Sequence, residues 1–218
     1  MLRMALDRDP DAPLSILCLG AHSDDIEIGC GGAMLQLLHA RRNVSVHWAV
    51  FAASGARARE AERSAKHFLR RATSATVFLK QFRDGFFPYT GEAIKEEFEN
   101  LKAIVAPDLI FTHYRDDRHQ DHRLIHELTW NTWRDHFILE YEVPKYDGDF
   151  GVPNFFVPLS AATVRRKVAA LMRHFPTQSG KHWFDEELFR GVLRLRGMEC
   201  NSPSRYAEAF HARKLTAR

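Results

Sequence analysis

Short apolar runs alternate with longer amphipathic stretches through the first half of this chain. The runs are rich in aliphatic, β-branched and aromatic residues, which is typical of buried strands, and they predict strands at residues 14–19, 44–51, 76–82 and 109–112. The stretches between them have helical spacing and predict helices at residues 31–42, 57–71 and 92–105. This alternation predicts an α/β fold: a Rossmann-like, mostly parallel sheet with right-handed crossovers and helices on both faces.

The second half of the chain has a less regular pattern. It predicts a helix at residues 124–133, a fifth strand at 137–143, a loop at 144–158 with a short strand at 155–157, and helices at 161–175 and 185–196. We find no internal repeat and no linker long enough to require a second domain. We therefore expect one domain over residues 1–218, with a Rossmann-like core (1–136) and a C-terminal part (137–218) that shapes the substrate pocket.

Composition narrows the class of protein. The chain has 218 residues, of which 45% are hydrophobic, so it can form a sizeable core. The chain has only three cysteines, which excludes a disulfide framework. They lie far apart without a C-x-x-C, which excludes a cysteine zinc ribbon. A formal charge of +3 is too small to favour a nucleic-acid or membrane-surface partner, and no segment is apolar enough for a membrane span. Because residues 1–13 lack the apolar stretch of a signal peptide, we expect a cytoplasmic protein.

A first cluster of chemically active residues directly follows the first predicted strand. His22, Asp24 and Asp25 lie at the strand's carboxyl end, where open parallel sheets bind their ligands. His22 and Asp25 are three positions apart and can converge on one cation, which is a pattern of hydrolytic metal sites. In the alternative, the acids cap a helix and His22 has no function. A dinucleotide-binding loop is disfavoured, because the glycines at 29, 31 and 32 lack the G-x-G-x-x-G spacing.

A second cluster follows the fourth predicted strand. His119, Asp121 and His122 belong to the segment HQDH, within a region that holds four of the chain's twelve histidines. Strands one and four are neighbours in the usual doubly wound order, so both clusters should meet at the same edge of the sheet. The second cluster offers a further metal ligand, a carboxylate that can hydrogen-bond an imidazole, and a free imidazole. In the alternative, this is a polar loop that begins the next helix.

The two motifs together resemble a known family. AHSDDIEIGCGG at residues 21–32, with HQDH at 119–122, is similar to the PIG-L/LmbE-like family of metal-dependent N-acetylglucosamine de-N-acetylases. The usual motifs of that family are A-H-P-D-D and H-P-D-H, so Ser23 and Gln120 stand here in place of prolines. Those prolines shape loops and do not touch the metal, and we expect the chemistry to be kept.

The resemblance implies a role for each residue of the two motifs. The ligands of a zinc ion, or of Fe²⁺ or another divalent cation, would be His22, Asp25 and His122. Asp24 would be the general base, taking a proton from water that the cation acidifies. His119 would be the acid or the partner of the oxyanion, and Asp121 would orient a histidine.

Two further positions are similar to substrate-binding residues of the family. Arg57 opens the second predicted helix and Asp84 follows the third strand, both at the edge that carries the motifs. In the alternatives, Arg57 is an exposed helix charge and Asp84 is a turn residue before Gly85. His113 and Asp117 have no assigned role.

We therefore expect a zinc-dependent hydrolase that removes acetyl from an N-acetylglucosamine-type conjugate. Its partner would be an amino-sugar substrate, as a small molecule or a glycoconjugate, without nucleic acid or membrane span. Several members of the family assemble, which makes a homo-oligomer a candidate. A metal-dependent phosphoesterase and an inactive Rossmann-like binding module remain as alternatives.

Overall fold

The computed structural model describes residues 11–215. Its core is a seven-stranded sheet with the strand order β3-β2-β1-β4-β5-β7-β6. The strands are β1 (Leu14–His22), β2 (Val44–Ala52), β3 (Ser74–Leu79), β4 (Leu109–His113), β5 (Phe137–Tyr141), β6 (Phe155–Pro158) and β7 (Ala207–Ala212). The neighbours among β1 to β5 pair in parallel, whereas β7 is antiparallel to both β5 and β6. The mostly parallel α/β fold that the sequence predicts is thereby confirmed.

Helices cover both faces of the sheet. They are α1 (Asp25–Ala40), α2 (Gly55–Leu69), α3 (Gly91–Ile104), α4 (Gln120–Thr132), α5 (Ala161–His174) and α6 (Glu186–Glu199), with short 3₁₀ turns at Phe87–Thr90 and Pro176–Gln178. Side chains of β1 alternate between the two faces: Ile16 packs with α1, α2, α5 and α6, whereas Leu17 packs with α3 and α4. A strand with both faces buried is nearly continuous in apolar residues, as the sequence pattern of β1 is.

Helix α1 begins at Asp25, earlier than residue 31 where the sequence predicts its start. The glycines of the first motif therefore lie within the helix and do not form a turn before it. Gly29 shows why a small residue is needed there: a Cβ at this position would lie 2.1 Å from the ring of Tyr141 on β5. Close packing of α1 on the sheet requires the glycine, and it holds the first turn of α1 against the strand ends.

Strand β7 is not predicted from the sequence. It is buried along its length although it carries Glu208, a residue that disfavours the assignment of a buried strand. The Glu208 carboxylate accepts hydrogen bonds from the backbone N–H groups of Gly32 (2.7 Å) and Ala33 (2.6 Å), and Lys167 of α5 pairs with it at 2.6 Å. These contacts satisfy the buried charge and tie β7, α5 and α1 together.

Within residues 11–215, no helix combines the length and the apolar character that a bilayer crossing requires.

Candidate active site

The two predicted clusters meet at the carboxyl ends of β1 and β4. His22 is the last residue of β1, Asp25 is the first residue of α1, and His122 lies in the first turn of α4. Their side chains form a triangle of donor atoms. The His22 Nδ1 atom lies 3.1 Å from His122 Nε2 and 3.3 Å from Asp25 Oδ2, and the third side, from His122 Nε2 to Asp25 Oδ2, is 3.5 Å.

This triangle fits a divalent cation. Ligand distances of about 2.0–2.2 Å in a tetrahedral zinc site place neighbouring donor atoms about 3.3–3.5 Å apart. Two imidazole nitrogens and one carboxylate oxygen are also a donor set that zinc and ferrous iron accept. Other groups of donors in the same region are close enough for a cation: His22, His119 and His122; Asp25, His113 and His122; and His22, Asp84, His119 and Asp121.

The orientation of the imidazoles favours the first triangle. His22 Nε2 lies 3.2 Å from Asp121 Oδ2, which leaves its Nδ1 toward the triangle. His122 Nδ1 lies 2.9 Å from Asp117 Oδ2, which leaves its Nε2 toward the triangle. A metal-binding histidine normally places its other nitrogen on a carboxylate in this way, because that contact fixes the ring and raises the basicity of the ligand.

Asp121 also holds the loop that follows β3. Its carboxylate accepts hydrogen bonds from the backbone N–H groups of Gly85 (2.6 Å) and Phe87 (3.1 Å). The neighbouring Gln120 donates its side-chain amide to the Gly85 carbonyl. The Asp121 carboxylate also contacts His22. It therefore links the end of β1 to the loop that follows β3.

Asp117 is a second buried carboxylate behind the triangle, and the sequence assigns it no role. Besides His122, it accepts a hydrogen bond from the His119 backbone N–H (2.8 Å) and pairs with the Lys145 ammonium (2.8 Å). These contacts hold the pKa of Asp117 far below its usual value although burial alone would raise it. Asp117 thus joins the start of α4 to the segment that follows β5.

The charges of the triangle favour a bound cation. Burial raises the pKa of Asp25, but His122, His22 and His113 outweigh it and hold the carboxyl well below its usual range. Burial and the neighbouring His113 lower the pKa of His122 to about 3, so its ring is neutral and can act as a ligand. For His22, burial lowers the pKa, but Asp25, Asp121 and Asp84 outweigh it and raise the pKa well above 6.5. The surroundings of His22 therefore attract positive charge.

Asp24 lines the same cleft as the triangle but is not part of it. Its Oδ1 pairs with Nη2 of Arg57 at 2.7 Å, while its Oδ2 is buried without a hydrogen-bond partner among residues 11–215. Burial raises the pKa of this carboxyl, and Arg57 opposes the shift. A carboxylate with one oxygen held and the other free, beside a cation site, is suited to accept a proton.

The predicted substrate residues Arg57 and Asp84 both line the cleft at this edge. Arg57 is held between Asp24 and Glu60, 3.3 Å away, and Glu60 in turn accepts hydrogen bonds from the backbone and hydroxyl of Thr177. Asp84 is 74% exposed, and its Oδ1 lies 3.0 Å from His22 Nε2.

His119 caps the N-terminus of α4 and also lines the cleft. Its Nδ1 accepts a hydrogen bond from the backbone N–H of Asp121 at 3.2 Å. A neutral ring with an acceptor at Nδ1 carries its proton on Nε2. Burial and the neighbouring His22 lower the pKa of His119, which favours this neutral form.

His113 is a further buried residue without a sequence-based role. Its Nε2 accepts the backbone N–H of Ala21 (3.0 Å) and lies 3.3 Å from Asp25 Oδ2 and 3.3 Å from the hydroxyl of Tyr141. Its ring stacks on His122 with 3.9 Å between the centroids. The signal in the sequence is its position at the end of β4, directly after the apolar run.

The cleft above these residues has a volume of about 410 Å³. One wall carries the motif residues and the other comes from the second half of the chain, through the segment 143–147 and Gln178, Lys181 and Trp183. A concave site with a few convergent polar groups at a strand-order switch is the usual place for a small-molecule ligand in this class of sheet.

Fold and site together define a Rossmann-like α/β protein with a His/Asp-lined cleft at the carboxyl ends of β1 and β4. The sequence model of the PIG-L family, described as GlcNAc-PI de-N-acetylase, matches residues 17–133, which include both motifs. The chain belongs to this family of de-N-acetylases, as the two motifs indicate.

Individual relatives are more distant. An uncharacterised deacetylase of Escherichia coli K12, YaiS, is 26% identical over 170 residues, which cover 73% of this chain and 89% of the relative. The N,N'-diacetylchitobiose deacetylase of Pyrococcus horikoshii superposes with a TM-score of 0.70 at 22% identity, over 91% of this chain and 83% of that one. GalB of Pseudomonas putida KT2440, a 4-carboxy-2-hydroxymuconate hydratase, superposes with a TM-score of 0.66 at 18% identity, over 94% of this chain and 99% of that one. These structures share the fold, which by itself does not fix a reaction.

Proposed function

We propose that this protein hydrolyses the acetamide of an N-acetylglucosamine-type conjugate, releasing acetate and the free amino sugar. The observation that carries the proposal is the arrangement of His22, Asp25 and His122 beside the free Oδ2 of Asp24. These three residues would hold a divalent cation, zinc or ferrous iron. When bound, the cation would lower the pKa of the attacking water and polarise the amide carbonyl.

Asp24 is the general base of the proposed reaction. Arg57 holds Oδ1, so the free Oδ2 takes a proton from the attacking water. The same carboxyl then gives that proton to the nitrogen of the leaving amine when the C–N bond breaks. The raised pKa of Asp24 favours the first transfer, because it makes the carboxylate a stronger base toward the attacking water.

His119 stabilises the oxyanion in this scheme and is not the source of a proton. Its lowered pKa and its accepting Nδ1 leave a neutral ring with a proton on Nε2, which donates a hydrogen bond to the carbonyl oxygen as negative charge develops there. Of the two roles that the family resemblance implies for His119, the geometry favours the oxyanion partner. Asp121 and Asp117 keep His22 and His122 in their orientations.

Arg57 and Asp84 bind hydroxyl groups of the sugar in this proposal. Arg57 has five N–H donors and uses two of its nitrogens in ion pairs, so it retains donors for a ligand. Asp84 presents an exposed carboxylate at the opening of the cleft. The second half of the chain supplies the opposite wall, in keeping with a C-terminal part that shapes the substrate pocket.

The test is a screen for released acetate with protein loaded with Zn²⁺ or with Fe²⁺. The panel contains N-acetylglucosamine, its methyl glycosides, N,N'-diacetylchitobiose and a sugar nucleotide, with p-nitrophenyl phosphate as the phosphoesterase probe. We expect acetate from at least one amino sugar, loss of activity in chelator and recovery with added metal. Phosphate release without deacetylation would support the phosphoesterase, and inactivity of metal-loaded protein on the whole panel would support a binding module.

A further inference from the structure

A second compartment adjoins the cleft. It has a volume of about 280 Å³ and shares four of its lining residues with the cleft, namely Pro144, Lys145, Tyr146 and Trp183. We propose that this compartment is an aglycone subsite that binds an apolar, ring-bearing substituent of the acetylated sugar. The inference rests on the proposed function and adds to it the chemical class of the substituent.

Exposed rings form the surface of the compartment. Tyr146 is 75% exposed and Phe150 is 38% exposed, and both line the compartment with the half-buried Trp183 and Leu188. Four large apolar side chains around one concavity leave apolar surface in water, which a ligand with an apolar face would cover.

Two of the rings, Phe150 and Trp183, are held by contacts with neighbouring side chains. The guanidinium of Arg196 lies 5.6 Å from the ring centroid of Phe150, and Arg196 is itself held by Glu142 at 2.8 Å. Trp183 packs edge-on against the buried Phe184 with 5.6 Å between centroids. Supported rings lose little freedom when a ligand stacks on them, which favours binding.

Three charged side chains that line the compartment, Asp149, Lys145 and Asp185, already have partners. Asp149 accepts the backbone N–H of Arg118 (2.6 Å) and pairs with Lys145 (2.7 Å). Asp185 caps α6 by accepting the backbone N–H of Leu188 at 2.8 Å. A second sugar ring needs several acceptors for its hydroxyls, and a phosphate needs a cation without a carboxylate partner. The engagement of these groups therefore favours an apolar aglycone over both.

The size of the compartment agrees with this choice. An apolar cavity of about 150 Å³ is sufficient for benzene, so the compartment accommodates a phenyl ring with room to spare. Because Tyr146 and Trp183 line both spaces, the compartment lies next to the cleft in which a sugar would contact Arg57 and Asp84.

The experiment compares phenyl and methyl N-acetylglucosaminides, each as both anomers, with N,N'-diacetylchitobiose as the sugar-bearing competitor. Burial of a phenyl ring predicts a kcat/KM for the phenyl glycoside at least about tenfold above that of the methyl glycoside. The variant Phe150→Ala should bring this ratio close to one, and Tyr146→Ala should lower it independently. Tyr89→Ala, at an exposed tyrosine outside both cavities, is the matched control and should keep the ratio of the unchanged protein.

The outcomes separate the two proposals. If no glycoside releases acetate, the proposed function fails and the subsite fails with it. If the methyl glycoside is deacetylated but the phenyl group gives no advantage, or Phe150→Ala leaves the advantage intact, the subsite is overturned and the function stands. A chitobiose preference that Phe150→Ala removes would assign the compartment to a second sugar and would overturn the apolar aglycone.

Discussion

Nη2 of Arg57 lies 2.7 Å from Oδ1 of Asp24, while Oδ2 of the same carboxylate has no hydrogen-bond partner in the described part of the chain. Arg57 of helix α2 thereby fixes the orientation of the Asp24 side chain, and Asp24 is the N-cap residue of α1. Asp24 lines the same cleft as the three proposed metal ligands. In the proposed reaction, Asp25 would bind the cation and Asp24 would transfer the proton.

The variant Asp24→Asn should keep the cation and lose turnover. The amide preserves the shape of the side chain but cannot accept a proton, so kcat should fall by about 10²- to 10⁴-fold. Metal content by elemental analysis should match the unchanged protein. A loss of bound metal in this variant would show that Asp24 is a ligand and would contradict its role as base.

The variants His122→Ala and Asp117→Asn should both weaken metal binding, but to different degrees. His122→Ala removes one of three ligands, and the purified protein should contain little metal. Asp117→Asn keeps all three ligands and loses the carboxylate on His122 Nδ1, which should weaken affinity about 10- to 100-fold. A competition titration with a chromogenic chelator measures both. Unchanged affinity in Asp117→Asn would show that the contact does not support the site.

Glu27 should make stability depend on pH. Its side chain is fully buried in α1, and burial raises its pKa to about 8 although the neighbouring Ser64 opposes the shift. Between the ordinary value of 4.5 and about 8, the folded protein keeps a proton that the unfolded chain has released. The contribution of Glu27 to stability is therefore fully present below the unfolded pKa and is lost as pH rises through the folded pKa.

The variant Glu27→Gln tests whether Glu27 causes this pH dependence of stability. The amide is neutral throughout, so the free energy of unfolding of the variant, relative to the unchanged protein, should rise from pH 5 to pH 8 and level off above that. Urea titrations with chelator present, to keep cations from Asp25, measure the difference at each pH. A difference that stays constant over this range would contradict a raised pKa.

The variant Gly29→Ala should destabilise the fold. The new methyl group would lie 2.1 Å from the fully buried Tyr141 ring, and overpacking of this kind costs about 1–3 kcal/mol or more. Gly191→Ala is the matched control, since it lies in α6 with nothing within 4 Å of the added atom. Removing a helical glycine there should stabilise by up to about 1 kcal/mol. Thermal and urea unfolding of both variants give the comparison, and equal effects would contradict close packing at Gly29.

Much of the site follows from local sequence. The apolar runs identify β1 and β4, and both motifs lie at or beyond the carboxyl ends of these strands, so the meeting of the two motifs follows from the topology of parallel sheets. In the order β3, β2, β1, β4 and β5, the helices α1, α2 and α4 each connect a strand to a parallel neighbour, whereas α3 crosses from β3 past β2 and β1 to β4.

Other features depend on contacts between distant parts of the chain. No local pattern shows that Asp121 contacts His22, that Asp117 contacts His122 and Lys145 together, or that β7 enters the sheet between β5 and β6. The polar residue Glu208 is buried there because Lys167 and the backbone of α1 pair with it.

The sequence by itself therefore determined the parallel α/β fold, the family and the edge of the sheet that carries the chemistry, because these depend on hydrophobic periodicity and on residues next to strand ends. Only the tertiary structure decided which carboxylate holds which imidazole, which oxygen of Asp24 is free, and how the second half of the chain closes the cleft. Those features depend on the partners that burial brings together, and a buried charge takes its orientation and its pKa from those partners.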